Sequence, residues 1–317
     1  MERRGFLQNT IAAGAYAHAA QSQTAEPVTH EEHGGLVIER AAAGRPHEGK
    51  VLAAIQPHSD DIPIFAAGAV FKLIHEGYTA YLIRVTNDDM AGPGSIATTV
   101  SANERDNNAV AKVFGVKGVF DLNYGNHMMD AVSLPELRAR FIYLFRLLKV
   151  DTVITYDPWG HYEENPDHYV TSACVEAACW MAAGGKDYPE HFAAGLRPHA
   201  VKEKYYFARF QQRVNRIVDI GSVVERKIDV LLENKAQGPA GDRGARLRAQ
   251  LAGRGLKLPL LGDSDESANR AYIREFTLRA NRELGRKHGL EYAEAYHYIG
   301  PPENEVDDYV RRNAVAL

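Results

Sequence analysis

Disulfides are the first thing the sequence excludes. Its 317 residues hold two cysteines, and Cys174 and Cys179 fall five apart in one predicted helix, on different faces, where no bridge between them closes. No run of eighteen apolar residues occurs, so no segment is predicted to cross a membrane as a helix. An excess of positive charge is missing too. Lys and Arg number 37 against 41 Asp and Glu, for a net charge of −4. That argues against a nucleic-acid partner, which calls for a basic stripe. Glycine is plentiful at 27, yet Gly92-Pro93-Gly94 lacks the strand–loop–helix setting of a phosphate cradle. There is no internal repeat. What remains is 45% hydrophobic and 25% charged, the composition of an ordinary globular chain long enough for a large core.

The first thirty residues stand apart. Met1-Glu2-Arg3-Arg4-Gly5-Phe6-Leu7 resembles a twin-arginine export signal, followed by an alanine-rich stretch from Thr10 to Ala20 and a small-x-small site at Ala17-His18-Ala19. The expected destination is exported, periplasmic or extracytoplasmic. If the segment is only a disordered tail, the protein is cytoplasmic. Three parts are expected: residues 1–30 as this segment, 31–236 as a Rossmann-like domain, and 237–317 as an excursion and helix packing back on it.

From residue 50 short β-rich runs alternate with amphipathic stretches. Strands are predicted at Val51–Ile55, Thr79–Thr86, Val119–Leu122 and Thr152–Tyr156. Helices are predicted at Pro63–Glu76, Ala102–Phe114, Pro135–Leu148 and Asp167–Ala183. This alternation predicts an α/β fold, a Rossmann-like sandwich with a mostly parallel sheet flanked by helices. Further on, strands are expected at Tyr205–Phe207, Arg216–Ile220 and Tyr292–Tyr298. Ser222–Asn234 and Asn269–His288 read as helices, and Gly238–Ser267 as a surface excursion or lid.

Ligands of such sheets bind beyond the carboxyl ends of the strands. Those ends carry Pro57-His58-Ser59-Asp60-Asp61, then Asn87-Asp88-Asp89, then Asn123-Tyr124-Gly125-Asn126-His127, then the segment from Asp157 to His168. His58 and Asp61, three apart where a strand turns into a helix, can aim an imidazole and a carboxylate at one point, and His168 can close the group. Two nitrogens and one carboxylate oxygen suit Zn²⁺ and leave a coordination position for water, whose pKa the metal would lower toward neutrality. Asp60 is the candidate general base, and Asp167 a carboxylate that orients an imidazole. Each feature also has a plainer reading, because Asp60-Asp61 and Asp167 could simply cap helices. Their joint placement on two strand ends favours the metal site. Trp159, Tyr162 and Tyr124 could stack on a sugar ring or only pack a loop, and His127, Asp88 and Asp89 are candidate substrate contacts.

The stretch Pro57-His58-Ser59-Asp60-Asp61 resembles the Pro-His-Pro-Asp-Asp motif of the PIG-L/LmbE-like deacetylases, with Ser59 in place of proline. Pro166-Asp167-His168 is similar to the latter part of their His-x-Asp-His motif. Weaker likeness runs through Asp106–Gly115 and Tyr292–Tyr296, so the resemblance covers most of residues 50–298. It implies zinc-dependent hydrolysis of an N-acyl bond, usually acetyl on an amino sugar or glycoconjugate, with His58, Asp61 and His168 as ligands, Asp60 as base and Asp167 in the orienting role. The chain departs from the pattern in several places. Ile62 stands where a glutamate commonly follows. Asn165 stands for the histidine that helps stabilise the oxyanion, a role His161 could take instead. Asn103 occupies the place of a substrate-binding arginine. A non-catalytic saccharide-binding protein on the same fold is the alternative, and a phosphoesterase ranks last. The oligomeric state is open, a homo-oligomer included.

Overall fold

The computed structural model describes residues 35–210, 212–301 and 305–315; the expected export segment at 1–30 lies outside them. In chain order the elements are β1 (Val37–Glu39), β2 (Val51–Gln56), α1 (Asp61–Phe65), α2 (Ala67–His75), β3 (Thr79–Thr86), α3 (Ile96–Phe114), β4 (Gly118–Tyr124), α4 (Leu134–Leu148), β5 (Thr152–Tyr156), α5 (Pro166–Ala182), α6 (Pro189–Ala193), β6 (Glu203–Phe207), β7 (Arg216–Asp219), α7 (Val224–Glu233), α8 (Arg243–Ala252), α9 (Asp265–Tyr272), α10 (Arg279–Lys287), β8 (Ala293–Ile299) and α11 (Glu305–Asn313).

The strands form one sheet in the order β1-β7-β8-β6-β5-β2-β3-β4. All pairings are parallel except those of β8, which runs antiparallel to both β6 and β7. Strands covered on both faces read as unbroken apolar runs, and β2 (VLAAIQ) and β5 (TVITY) are buried along almost their whole length. Side chains alternate across the sheet. Leu52 and Ala54 join one core with Val70, Phe114 and Ile228. Ala53 and Ile55 join the other with Phe141, Phe145 and Val175. Thus α2, α3 and α7 cover one face, and α4 and α5 the other. Burying each such aliphatic side chain contributes about 1.5–3 kcal/mol.

From β2 the chain moves outward through β3 to β4, then returns to lay β5 on the opposite side of β2. The order therefore reverses between β2 and β5, and a crevice opens there at the carboxyl ends. The loops bearing His58 and His168 flank that crevice.

Several elements depart from the sequence reading. The helix expected over Pro63–Glu76 breaks at Ala66 (φ −137°) into α1 and α2. The break lets the buried Glu294 carboxylate accept from Gly68 N at 2.9 Å and Ala69 N at 2.8 Å, so the start of α2 is satisfied from β8. Within residues 238–267, expected as a surface excursion or lid, Arg243–Ala252 form α8. The single long helix expected after them is α9 and α10 joined by a π-turn at Ile273–Thr277. The short β1, α6 and α11 gave no periodic signal to read.

Candidate metal centre and active site

Asp61, the first residue of α1, is fixed from two sides. Its Oδ2 accepts from the His58 backbone N–H at 2.8 Å, and its Oδ1 from the Tyr156 hydroxyl at the end of β5, also at 2.8 Å. His58 Nε2 faces Asp167 Oδ2 at 3.0 Å and Asn126 Oδ1 at 3.2 Å. A proton held on Nε2 by two acceptors leaves the Nδ1 lone pair for a cation. His168 presents Nε2, while its Nδ1 lies 3.0 Å from Glu163 Oε1, off the line of a hydrogen bond.

The three inward-facing donors fit a metal ion. His58 Nδ1 and His168 Nε2 are 3.0 Å apart, His58 Nδ1 and Asp61 Oδ2 3.3 Å, and His168 Nε2 and Asp61 Oδ1 3.6 Å. Vertices of a tetrahedron with bonds of about 2.0–2.1 Å stand about 3.3 Å apart. Two imidazole nitrogens facing each other across 3.0 Å need a proton or a cation between them. All three residues are buried, and together they could hold a metal ion. They also line a cavity of about 210 Å³ with Asp60, Asn126, His127, Tyr156, Asn165, Arg209 and Gln237, so one face of the donor triangle fronts on open space. Two clefts of about 630 Å³ lie elsewhere on the surface, but neither touches these donors.

Charge is divided unevenly between the adjacent aspartates. Burial, then the negative charge of Asp61, pushes the Asp60 carboxyl up to about 7. Burial would also raise Asp61, but His168 and His58 outweigh it and hold that carboxyl down at about 2. Burial lowers the proton affinity of His58, yet Asp167 and Asp61 together raise its pKa well above 6.5. Asp60 sits under the backbone of Gly238, where φ is +81° and a Cβ would come within 2.8 Å of Asp60 Oδ2. Only glycine allows that approach without strain.

The cavity gathers His58, Asp60, Asp61, His127, Asn165 and His168 of the residues expected at the site. Asn165 caps α5 by accepting from Asp167 N at 2.9 Å, which leaves its amide N–H₂ for the cavity. Asp167 does not orient the ring beside it. Neighbouring helical side chains diverge by about 100°, and its carboxylate instead holds His58 and accepts from His127 N at 2.7 Å. The other expected residues lie outside the cavity lining. Asp88 is fully buried and accepts from Ser59 N at 3.2 Å and Arg84 at 3.3 Å; it braces the loop and offers nothing to a substrate. Asp89 Oδ1 accepts from Asn126 N at 3.0 Å. Tyr124 bonds Glu136 and lies under Arg140. Trp159 packs on Tyr206 and His297. His161 and Tyr162 are exposed. Sequence reading missed Tyr156, Arg209 and Gln237, and left Glu163 without a role in the rim segment from Asp157 to His168. Tyr156 and Arg209 lie at or just after strand ends, where the same placement could have flagged them. Gln237 gave no signal.

Residues 53–179, which contain every one of the metal-facing donors and Asp60, match the family model described as "PIG-L: GlcNAc-PI de-N-acetylase". Over that stretch the chain is similar to the PIG-L/LmbE-like family. A diacetylchitobiose deacetylase of Thermococcus kodakarensis is 26% identical to this chain over 197 residues, 60% of this chain and 71% of that protein. Two solved structures share the fold. An N,N'-diacetylchitobiose deacetylase from Pyrococcus horikoshii has TM-score 0.64 at 21% identity, with 79% of this chain and 84% of that one covered. GalB, the 4-carboxy-2-hydroxymuconate hydratase from Pseudomonas putida KT2440, has TM-score 0.58 at 18% identity, with 81% and 98% covered. Proteins of different activities thus share this fold, and the fold alone does not set the reaction.

Two departures from the PIG-L/LmbE-like pattern touch each other. Ser59, in the motif's proline position, supplies a backbone N–H to Asp88 that proline lacks. Its hydroxyl donates to Asn103 Oδ1 at 3.3 Å, and Gln237 Nε2 donates to both, at 2.8 and 3.0 Å. Asn103 is fully buried and also bonds the backbone of Asp88, Ala91 and Thr99. The position of the family's arginine therefore ties loops together here and does not reach a ligand. For the carboxylate that holds His58, Asp167→Asn should weaken metal affinity about 10–100-fold, measured by competition with a chromophoric chelator while the circular dichroism spectrum stays unchanged.

Proposed function

We propose that the protein is a zinc-dependent N-deacylase that removes an acetyl group from the amine of an amino sugar or glycoconjugate. One observation carries the reading: His58, Asp61, His168 and Asp60 meet on one cavity within the stretch matched to the de-N-acetylase family. The 26% identical diacetylchitobiose deacetylase supports the sugar as substrate class. Two nitrogens and one carboxylate oxygen with an open side suit zinc, which when bound acts as a Lewis acid on a carbonyl and makes water acidic near neutral pH.

The chain's own residues divide the remaining work. Asp60, ionised, accepts a proton from the water that attacks the acyl carbon. The same carboxyl then returns that proton to the departing amine. The Asn165 amide, held by its cap to Asp167 N, donates to the acyl oxygen as charge builds there; one such donor contributes about 10²–10³ in rate. Tyr156 and Glu163 keep Asp61 and His168 in place, and Gly238 with Gln237 roofs Asp60 against bulk water.

Incubating the zinc-loaded protein with N,N'-diacetylchitobiose and N-acetylglucosamine and assaying free amine tests this directly. Amine release that a chelator stops and zinc restores is expected. Binding of these sugars without release would favour a saccharide-binding protein, the outcome that the loss of the family's histidine at Asn165 makes worth testing.

A further inference from the structure

A second chamber, of about 230 Å³, adjoins the metal cavity. Ile64, Phe65 and Arg209 line both spaces and so form the wall between them. Phe207, Leu284 and Ala280 also line the chamber. Its polar residues are engaged within the protein. Thr277 Oγ1 donates to Pro239 O at 3.0 Å and Asn281 Nδ2 to Ala293 O at 2.9 Å. Glu294 is held by Gly68 N, Ala69 N and Lys227. The surface left facing the chamber is mostly aliphatic and aromatic, with the rings of Phe65 and Phe207 stacked 5.4 Å apart and the Arg209 side chain as its charged member. In the wall, Ile64 and Phe65 belong to α1. Arg209 follows β6, its side chain 43% exposed and paired with Glu163 Oε1 at 3.7 Å.

We propose that this chamber is an acyl subsite, receiving the hydrocarbon tail of an N-acyl group longer than acetyl while the amide lies in the metal cavity. The inference rests on the deacylase reading and extends its substrate class. A sugar ring would bring hydroxyls that this lining leaves unbonded, at a cost, whereas an alkyl tail asks for none. Asp60, which serves the amine, lines the metal cavity and not the chamber, so the amine side of the scissile bond belongs away from it. The volume holds about seven groups the size of a water molecule, which suits a short chain.

Calorimetry of the full-length zinc-loaded protein with acetate and hexanoate, the two product carboxylates, tests the chamber without requiring turnover. Hexanoate should bind at least about tenfold tighter, since a single methylene in an apolar pocket is worth about 10–200-fold. Ala280→Phe, at an exposed position of α10 with its ring directed to fill the space, should erase that difference and leave acetate binding within about twofold. In the same way N-hexanoylglucosamine should exceed N-acetylglucosamine in kcat/KM by about tenfold or more, and Ala280→Phe should remove the advantage. Equal binding of the two carboxylates would overturn the proposal. So would a gain seen only with the hexyl glycoside of N-acetylglucosamine and lost in Ala280→Phe, because the chamber would then hold the aglycone. Tighter hexanoate binding with no sugar hydrolysed would keep the chamber and refute the deacylase reading.

Discussion

Asp60→Asn should keep its zinc and lose turnover of an N-acetylated amino sugar by about 10²–10⁴-fold, the range for a residue that moves protons in the transition state. The upper end is expected because one carboxyl serves both as base toward water and as acid toward the amine. Asparagine keeps the shape under Gly238 and removes only the titration. In the metal-free protein Asp60 titrates at about 7, through burial and the charge of Asp61, and a bound dication shifts that value down. The carboxylate is the active form at the first step, so activity should fall as pH drops through the Asp60 value. The residual activity of Asp60→Asn should lack that acid limb. Wild-type activity with an unchanged pH profile would take Asp60 out of the mechanism.

His168→Ala should abolish zinc binding at micromolar metal, a loss beyond the about 10–100-fold expected for an orienting residue, because two donors remain of three. Binding to the folded form raises stability, by about 4 kcal/mol when metal is at 1,000 times its Kd. The wild-type protein should therefore show a rise in melting temperature with zinc that His168→Ala does not. Protonated His58 competes with the metal, and its pKa lies well above 6.5, so zinc affinity should rise with pH until that ring is neutral. The sign for stability is opposite. A raised histidine pKa stabilises the metal-free protein fully below the unfolded value, and that contribution is lost as pH rises through the folded value.

The parts of the fold that could be read from sequence were those with a strong period. Thr79–Thr86 and Thr152–Tyr156 emerged with their observed bounds because buried parallel strands are continuous apolar runs. Long-range contacts gave no such signal. Ala66 breaks a helix for the sake of Glu294, more than two hundred residues away, and no local pattern announces it. The same holds at the site. His58, Asp60, Asp61 and His168 were legible because each stands at the end of a strand beside a helix start. Asp167 was read as an orienting carboxylate, but the ring it holds is His58, across the crevice, because a helix turns adjacent side chains apart. Asp88 sits on the same rim in sequence, but the fold buries it under Ser59. Gln237 and Gly238 reach Asp60 only because α7 returns the chain to this edge. Arg209 stands at a strand end like the ligands, although nothing in its neighbours distinguishes it.

The proposed chemistry requires three side chains to share one cation. Anomalous diffraction at the zinc edge, on crystals of the zinc-loaded protein, measures this most directly. The expected result is a single peak about 2.0–2.2 Å from His58 Nδ1, His168 Nε2 and an Asp61 oxygen. A peak bound by other residues, or none in that triangle at saturating zinc, would contradict it.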